Sequence, residues 1–241
     1  MASDAAIVIL EHIACEPAGA YEDELRDRGL AFQRVRLDRG EALPRHEEVG
    51  AIVAMGGPMG VYEEAIHPWL GAEKRFIADA VADGRPYWGV CLGAQLLAAS
   101  MGAAVSTGAA PEVGVGRVEL SESAAGDAVF AAAPGAFDAL HWHGDTYELP
   151  PGAIGLASSA QYQQQAFVLH RAYALQFHLE VTPALAQEWL AVPAYRESLQ
   201  EVMGADGLPR LLGQLEQAAP SSIQLGRRLF GRWLDHVVAG A

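Results

Sequence analysis

The sequence predicts an α/β protein: a mostly parallel central sheet flanked by helices, with a mixed-sheet extension and a helical C-terminal tail. Three observations predict it. Short apolar runs at 5–10, 50–55 and 86–90 have the length and the lack of alternation expected of strands buried on both faces. Segments with helical spacing separate such runs, and a chain alternating in this way folds as βαβ units. At 241 residues the chain can bury one sizeable core, or one core with an appendage.

The run 5–10 is the first strand. Glu16-Pro17-Ala18-Gly19 breaks the chain, and 20–28 is a charged helix closed by Gly29 just past its end, where a left-handed residue is common. Residues 32–37 alternate as a second strand, and 50–55 is the third. A helix over 69–82 stops at Gly84 and leads into the strand 86–90, followed by an Ala- and Leu-rich helix over 92–101. Right-handed units of this kind bring the C-terminal ends of their strands to one edge, where α/β proteins bind ligands. From 103 to 173 the pattern changes to short strands at 113–120, 139–141, 154–158 and 166–170, an antiparallel or mixed extension. A further strand, 173–177, delivers His178. Helices follow at 184–190, 195–203, 209–217 and 223–238, the last started by Pro220-Ser221-Ser222. The expected division is a domain over 1–190 and a helical extension over 191–241, packed on or next to it.

Composition excludes several classes. A net charge of −14 opposes binding to nucleic acid or to an anionic membrane, both of which need cationic surface. No apolar run approaches the ~20 residues of a membrane span. Met1-Ala2-Ser3-Asp4 lacks the basic region of a signal peptide, and two cysteines do not make a disulfide framework, so a reduced cytoplasmic setting is expected.

The chemistry centres on Gly89-Val90-Cys91-Leu92-Gly93-Ala94-Gln95. A Cys between an apolar strand and a helix, with glycines two residues to either side, has the pattern of a nucleophile elbow. The turn presents the thiol at a helix N-terminus, where unpaired N–H groups and the helix dipole favour thiolate. Cys15 has no such context and is expected to be structural. A base must come from elsewhere in the chain, and Gln176-Phe177-His178-Leu179-Glu180 offers one. In extended chain His178 and Glu180 project to the same side, so the carboxylate can orient the imidazole, while Phe177 and Leu179 turn into packing. Gly56-Gly57-Pro58-Met59-Gly60 follows the third strand. Its backbone N–H groups, with that of Leu92, can form an oxyanion hole, and its glycines would let the Gly57 N–H swing away cheaply. No Lys-Ser/Thr pair follows, which argues against a phosphate loop. His141-Trp142-His143-Gly144-Asp145 is expected to be a loop lining the pocket. Nothing nearby in sequence completes a metal set, so neither metal nor cofactor is expected.

These motifs, in this order, resemble the class I (triad-type) glutamine amidotransferases, especially the free-standing GMP-synthase-like branch. Met55 to Tyr62, Trp142 to Asp145 and Gln165-Ala166-Phe167 add to the likeness, which covers roughly 5–190. The resemblance implies a flavodoxin-like fold and a cysteine-nucleophile glutaminase. In it Cys91 attacks the glutamine side-chain amide, His178 moves the proton and Glu180 orients His178. Gly57 and Leu92 would hold the oxyanion, and Gln95, His143 and Asp145 would contact substrate. The family usually has Pro where Leu179 stands and its related branch tends to Trp where Val115 stands. A thiol-elbow superfamily resembling DJ-1 is discounted, because it carries His where Leu92 stands. No ATP-site motif is present, so the expected partners are glutamine or another γ-glutamyl compound and a separate synthetase or acceptor enzyme. The alternatives are an autonomous γ-glutamyl hydrolase and, from a different class, a non-catalytic binding or regulatory protein on the same fold.

Overall fold

Among residues 6–240, which the computed structural model describes, nine strands form a single sheet in the order β2-β1-β3-β4-β9-β8-β7-β5-β6. The chain runs β1 (Ala6–Glu11), α1 (Ala20–Asp27), β2 (Phe32–Arg36), β3 (Val49–Ala54), α2 (Trp69–Ala82), β4 (Tyr87–Val90) and α3 (Leu92–Ser100). The extension follows as β5 (Val105–Leu120), β6 (Ala136–Tyr147), β7 (Ile154–Ser158), β8 (Ala166–Leu169) and β9 (Ala172–Leu175). Three helices close the chain: α4 (Pro183–Trp189), α5 (Pro193–Met203) and α6 (Gly207–Trp233). Ala5 and the Met1-Ala2-Ser3-Asp4 segment lie outside the described residues. Pairing is parallel from β2 through β1, β3 and β4 to β9, and antiparallel from β9 through β8, β7 and β5 to β6. This is the predicted fold class.

Each face of the sheet carries its own helices. On one face α2 and α3 cover Val8, Leu10, Ile52 and Ala54. On the other, α1 and α6 meet Ile9, Val53 and Trp88. Trp88 of β4 is completely buried, with Phe230 at 5.5 Å and Trp233 at 5.8 Å between ring centres. Burying side chains of this size is worth about 1.5–3 kcal/mol each, so the C-terminal helix is held by the main core. A third cluster packs α4, α5 and the start of α6 against Leu140 and Trp142 of β6. Among the described residues, no helix is long and apolar enough to cross a membrane.

Three local expectations are corrected. The break at Pro220 does not occur, for α6 runs through it. Leu211, Leu215, Ala219, Ser222, Leu225, Leu229 and Trp233 form one buried stripe of helical period, and its packing outweighs the ~3 kcal/mol typical of an internal proline. β5 and β6 are far longer than 113–120 and 139–141. They make an outer ribbon whose register shift between Thr107 and Glu112 accommodates Pro111, and its half-exposed residues give no apolar signature. His141 to Asp145 therefore lies in a strand and not in a loop. Finally, β9 stops at Leu175. Beyond it, Gln176 N–H donates to Gln165 O at 2.8 Å, and His178 exchanges hydrogen bonds with Leu140 of β6 at 2.8 and 3.3 Å.

Candidate active site

The C-terminal ends of β1, β3, β4 and β9 carry Glu16, Gly56–Gly57, Cys91 and His178 to one place. Cys91 sits at φ +52°, ψ −106°, a backbone conformation that costs a non-glycine residue about 1–3 kcal/mol. The surroundings impose it. Cys91 N–H donates to Leu175 O at 2.8 Å, and Gly93 N–H donates to Met55 O at 3.1 Å. A Cβ at Gly93 would collide with the Ala54 carbonyl, and one at Gly89 with the carbonyl of Gly93, so only glycines let β3, β4 and α3 approach this closely. The thiol is buried. Its Sγ is 3.5 Å from the Gln176 side-chain amide and 3.9 Å from Trp142 O. Burial pushes the thiol up, His178 and the Leu92 N–H pull against that, and Glu16 adds to the rise.

His178 and Glu180 are both about 2% exposed, with Nδ1 2.7 Å from Glu180 Oε1. Burial alone would lower the imidazole. The Glu180 carboxylate and the Cys91 sulfur outweigh it and hold His178 well above its ordinary value. Among the described residues Nε2 has no hydrogen-bond partner. Phe177 and Leu179 point into the core, as the period of two requires. Leu179 also brings something a proline could not. Its N–H donates to Glu180 Oε2 at 3.0 Å, fixing the second carboxylate oxygen.

The Gly56–Gly57 peptide is less free than its glycines suggest. His12, fully buried at the end of β1, places Nδ1 3.1 Å from Gly56 O and Nε2 2.8 Å from Glu73 Oε1 on α2. A carbonyl and a carboxylate can only accept, so the ring donates from both nitrogens and is an imidazolium. Burial opposes that charge, yet Glu73 and Gly56 together leave His12 raised. With Gly56 C=O held, the Gly57 N–H on the opposite side of the same peptide is held as well.

The chain matches the family "Glutamine amidotransferase class-I" over residues 19–192. It belongs to that family. It is similar to the glutamine amidotransferase-like protein YfeJ of Salmonella typhimurium, 30% identical over 231 residues and covering 94% of each chain. It is also 29% identical to the GMP synthase [glutamine-hydrolyzing] of Thermomicrobium roseum, over 90% of this chain but 42% of that one. A solved glutamine amidotransferase from Thermotoga maritima superposes with a TM-score of 0.85 at 32% identity, covering 96% of this chain and 99% of the other.

In this amidotransferase-family chain a pocket of about 320 Å³ opens over Cys91, walled by the 57–63 loop, β5, β6 and α5. Gly57, Gln95, His143 and Asp145 all line it. Gln95 donates to Gln176 Oε1 at 3.1 Å and so buttresses the amide that touches the thiol. Asp145 accepts from Tyr62 OH at 2.9 Å across the mouth. His143 offers the pocket a ring without a free nitrogen, since Nδ1 contacts Asp145 O and Nε2 contacts Glu112. Val115 does not line the pocket; its N–H is 3.3 Å from Gln214 Oε1 of α6, while Pro111 and Val113 form that wall.

Sequence reasoning missed four residues here: His12, Gln176, Tyr195 and Glu16. Glu16 is a buried carboxyl that accepts a hydrogen bond from Tyr195 OH of α5, and a Cβ at Gly56 would collide with it. Burial raises Glu16, with His178 acting in the opposite sense. The one available signal was a Glu and a His flanking the end of the first strand. Cys15 beside it is pushed up to about 11 by burial, which suits an inert thiol.

Proposed function

We propose that the chain is a class I glutaminase acting through Cys91, His178 and Glu180. The observation that carries this is the buried His178–Glu180 pair, its Nε2 unpartnered, beside a thiol on a strained elbow. With Nδ1–H given to Glu180, the Nε2 lone pair can take the thiol proton as sulfur attacks the side-chain amide carbon of glutamine. The oxyanion of the tetrahedral intermediate would be met by the Gly57 and Leu92 N–H groups. His178 then returns the proton to the amide nitrogen, the C–N bond breaks and ammonia leaves. Water, deprotonated by His178, attacks the γ-glutamyl thioester, the C–S bond breaks, and glutamate leaves with the thiol restored. Gln95, His143 and Asp145 belong to the proposed substrate surface. Asp145, Glu63 and Glu201 give the pocket an acidic wall suited to the substrate's ammonium group. The division into a catalytic domain over 1–190 and a helical extension over 191–241 is part of the same proposal.

In this reading the ammonia goes to a separate synthetase or another acceptor enzyme, as the match to 42% of a GMP synthase suggests. A second reading, an autonomous γ-glutamyl hydrolase, is favoured by two observations. The pocket reaches the lower end of the ~300–1,000 Å³ range of ligand sites, leaving room beyond a single glutamine side chain. The His12 contact also keeps the Gly57 peptide in place without a partner. Steady-state turnover of glutamine and of γ-glutamyl dipeptides by the purified chain separates the two. A coupled glutaminase turns over glutamine slowly when alone. A kcat for either substrate near the ~10 s⁻¹ typical of enzymes identifies the autonomous hydrolase and overturns the waiting-subunit reading.

A further inference from the structure

A second cluster lies on the outer ribbon of the sheet and takes no part in the thiol chemistry. Strand register sets Glu112 of β5 opposite His143 of β6 and Gly114 opposite His141, and the period of two turns both histidines to one face. One donor atom from each of Glu112, His141 and His143 lies within 4.8 Å of the other two. His143 Nδ1 is 2.9 Å from the backbone carbonyl of Asp145, which can only accept, so that nitrogen carries a hydrogen. His143 Nε2 lies 3.1 Å from Glu112 Oε2 and 3.4 Å from Gln165 Nε2. His141 is 3% exposed, its Nδ1 3.5 Å from the same oxygen, and among the described residues neither of its ring nitrogens has a hydrogen-bond partner.

Three ligand-type atoms from two adjacent strands converge here, and the buried His141 brings two unpartnered ring nitrogens to them. The spacing favours a metal ion. Ligands about 2.0–2.1 Å from a tetrahedral zinc stand roughly 3.4 Å apart, close to both carboxylate–imidazole separations here. The outer contacts also fit. Ser159 Oγ donates to Glu112 Oε1 at 2.7 Å and Gln165 Nε2 donates to Oε2 at 2.6 Å. With the Asp145 carbonyl on His143 Nδ1, these are the partners that orient metal ligands and fix their tautomers. A Cβ at Gly116 would press on the His141 ring at 3.0 Å, so glycine there keeps the ring's position open.

We infer that Glu112, His141 and His143 form a binding site for a divalent transition metal of the zinc class, with water completing the coordination. Two imidazoles and one carboxylate are an established ligand set for zinc. The ion would clamp β5 to β6 where His143 forms part of the pocket wall. Glu112 is distant in sequence from both histidines, and the register of the ribbon brings it to them.

The test uses the full chain with Cys91→Ser, which removes the thiol as a competing ligand. After stripping with chelator, the protein is titrated with Co²⁺ and then with Zn²⁺. The expected result is one equivalent of Co²⁺ bound with a visible absorption band, bleached by one equivalent of Zn²⁺. His141→Gln and Glu112→Gln should each weaken binding by more than the ~10–100-fold typical of losing an outer partner. Should those variants not fold, Ser159→Ala removes an outer contact and keeps all three ligands; about tenfold weaker binding supports the site, and unchanged affinity counts against it. Absence of a band, or Co²⁺ affinity unaltered in folded His141→Gln, overturns the assignment.

Discussion

Glu73→Gln is the perturbation that most sharply examines how the proposed oxyanion peptide is held. Glu73 is fully buried on α2, and its carboxylate stabilises the imidazolium of His12, which in turn holds Gly56 O. The amide is isosteric, so no cavity forms. It lacks the charge, so His12 becomes neutral and can donate from one nitrogen only. Either the contact to Gly56 or the contact to residue 73 is then lost. A charge-assisted hydrogen bond contributes about 1.5–3 kcal/mol, which sets the expected loss of stability. If the Gly57 peptide is released for part of the time, kcat falls by a fraction of the ~10²–10³ that one oxyanion donor is worth, about 10–100-fold, with KM little changed. The pH dependence carries a definite sign. The folded pKa of His12 is raised, because Glu73 and Gly56 outweigh burial. Its contribution to stability is therefore complete below the unfolded value near 6.5 and is lost as pH rises through the folded value. The gap in unfolding free energy between wild type and Glu73→Gln should be largest near pH 6 and shrink as pH rises. Denaturant titrations of both proteins across that range measure it. A gap that is absent, or that widens with pH, refutes the charged-His12 account.

Two further substitutions have definite outcomes. Gly93→Ala puts a methyl against the Ala54 carbonyl and pushes the start of α3 outward; overpacking of this kind costs about 1–3 kcal/mol, and an ångström of misplacement costs about 10²-fold in rate. Gly213→Ala, with nothing within 4 Å of the added methyl, is its control and should gain roughly 0.5–1 kcal/mol on denaturant unfolding. His178→Ala should lower γ-glutamyl hydrolysis by about 10⁵–10⁶-fold, and Glu180→Gln by one to two orders of magnitude less, because orienting a base contributes less than being the base. Alkylation rates of Cys91 in both variants show whether another base has stepped in.

The parallel half of the fold was legible because its strands are buried on both faces, and continuous apolar runs such as 50–55 leave few other readings. The ribbon of β5 and β6 was not, since its residues are half-exposed and Gly108 and Pro111 have the look of a loop. Pro220 misled for the same reason in reverse: a local breaker was overridden by a buried stripe that only tertiary packing makes decisive. At the site, Cys91, His178 and Glu180 were legible because each motif carries its own geometry, a glycine-flanked turn or a spacing of two. His12, Glu16, Glu73 and Tyr195 were not. Their partners lie on different elements, strand ends on one side and α2 and α5 on the other, and only tertiary packing brings them together. Glu112 was hidden likewise, its nearness to His141 and His143 being a property of strand register.

The central claim is that Cys91 becomes acylated by a γ-glutamyl group. Intact-protein mass spectrometry after brief exposure to a glutamine-shaped electrophile, followed by peptide mapping, tests it most directly. The account predicts a single adduct, located on Cys91 and not on Cys15, absent in Cys91→Ser and strongly slowed in His178→Ala. Cys91→Ser should also lose hydrolysis by several orders of magnitude while keeping the wild-type fold. Labelling of Cys15 instead, or a Cys91→Ser protein that keeps most of its γ-glutamyl hydrolysis, would contradict it.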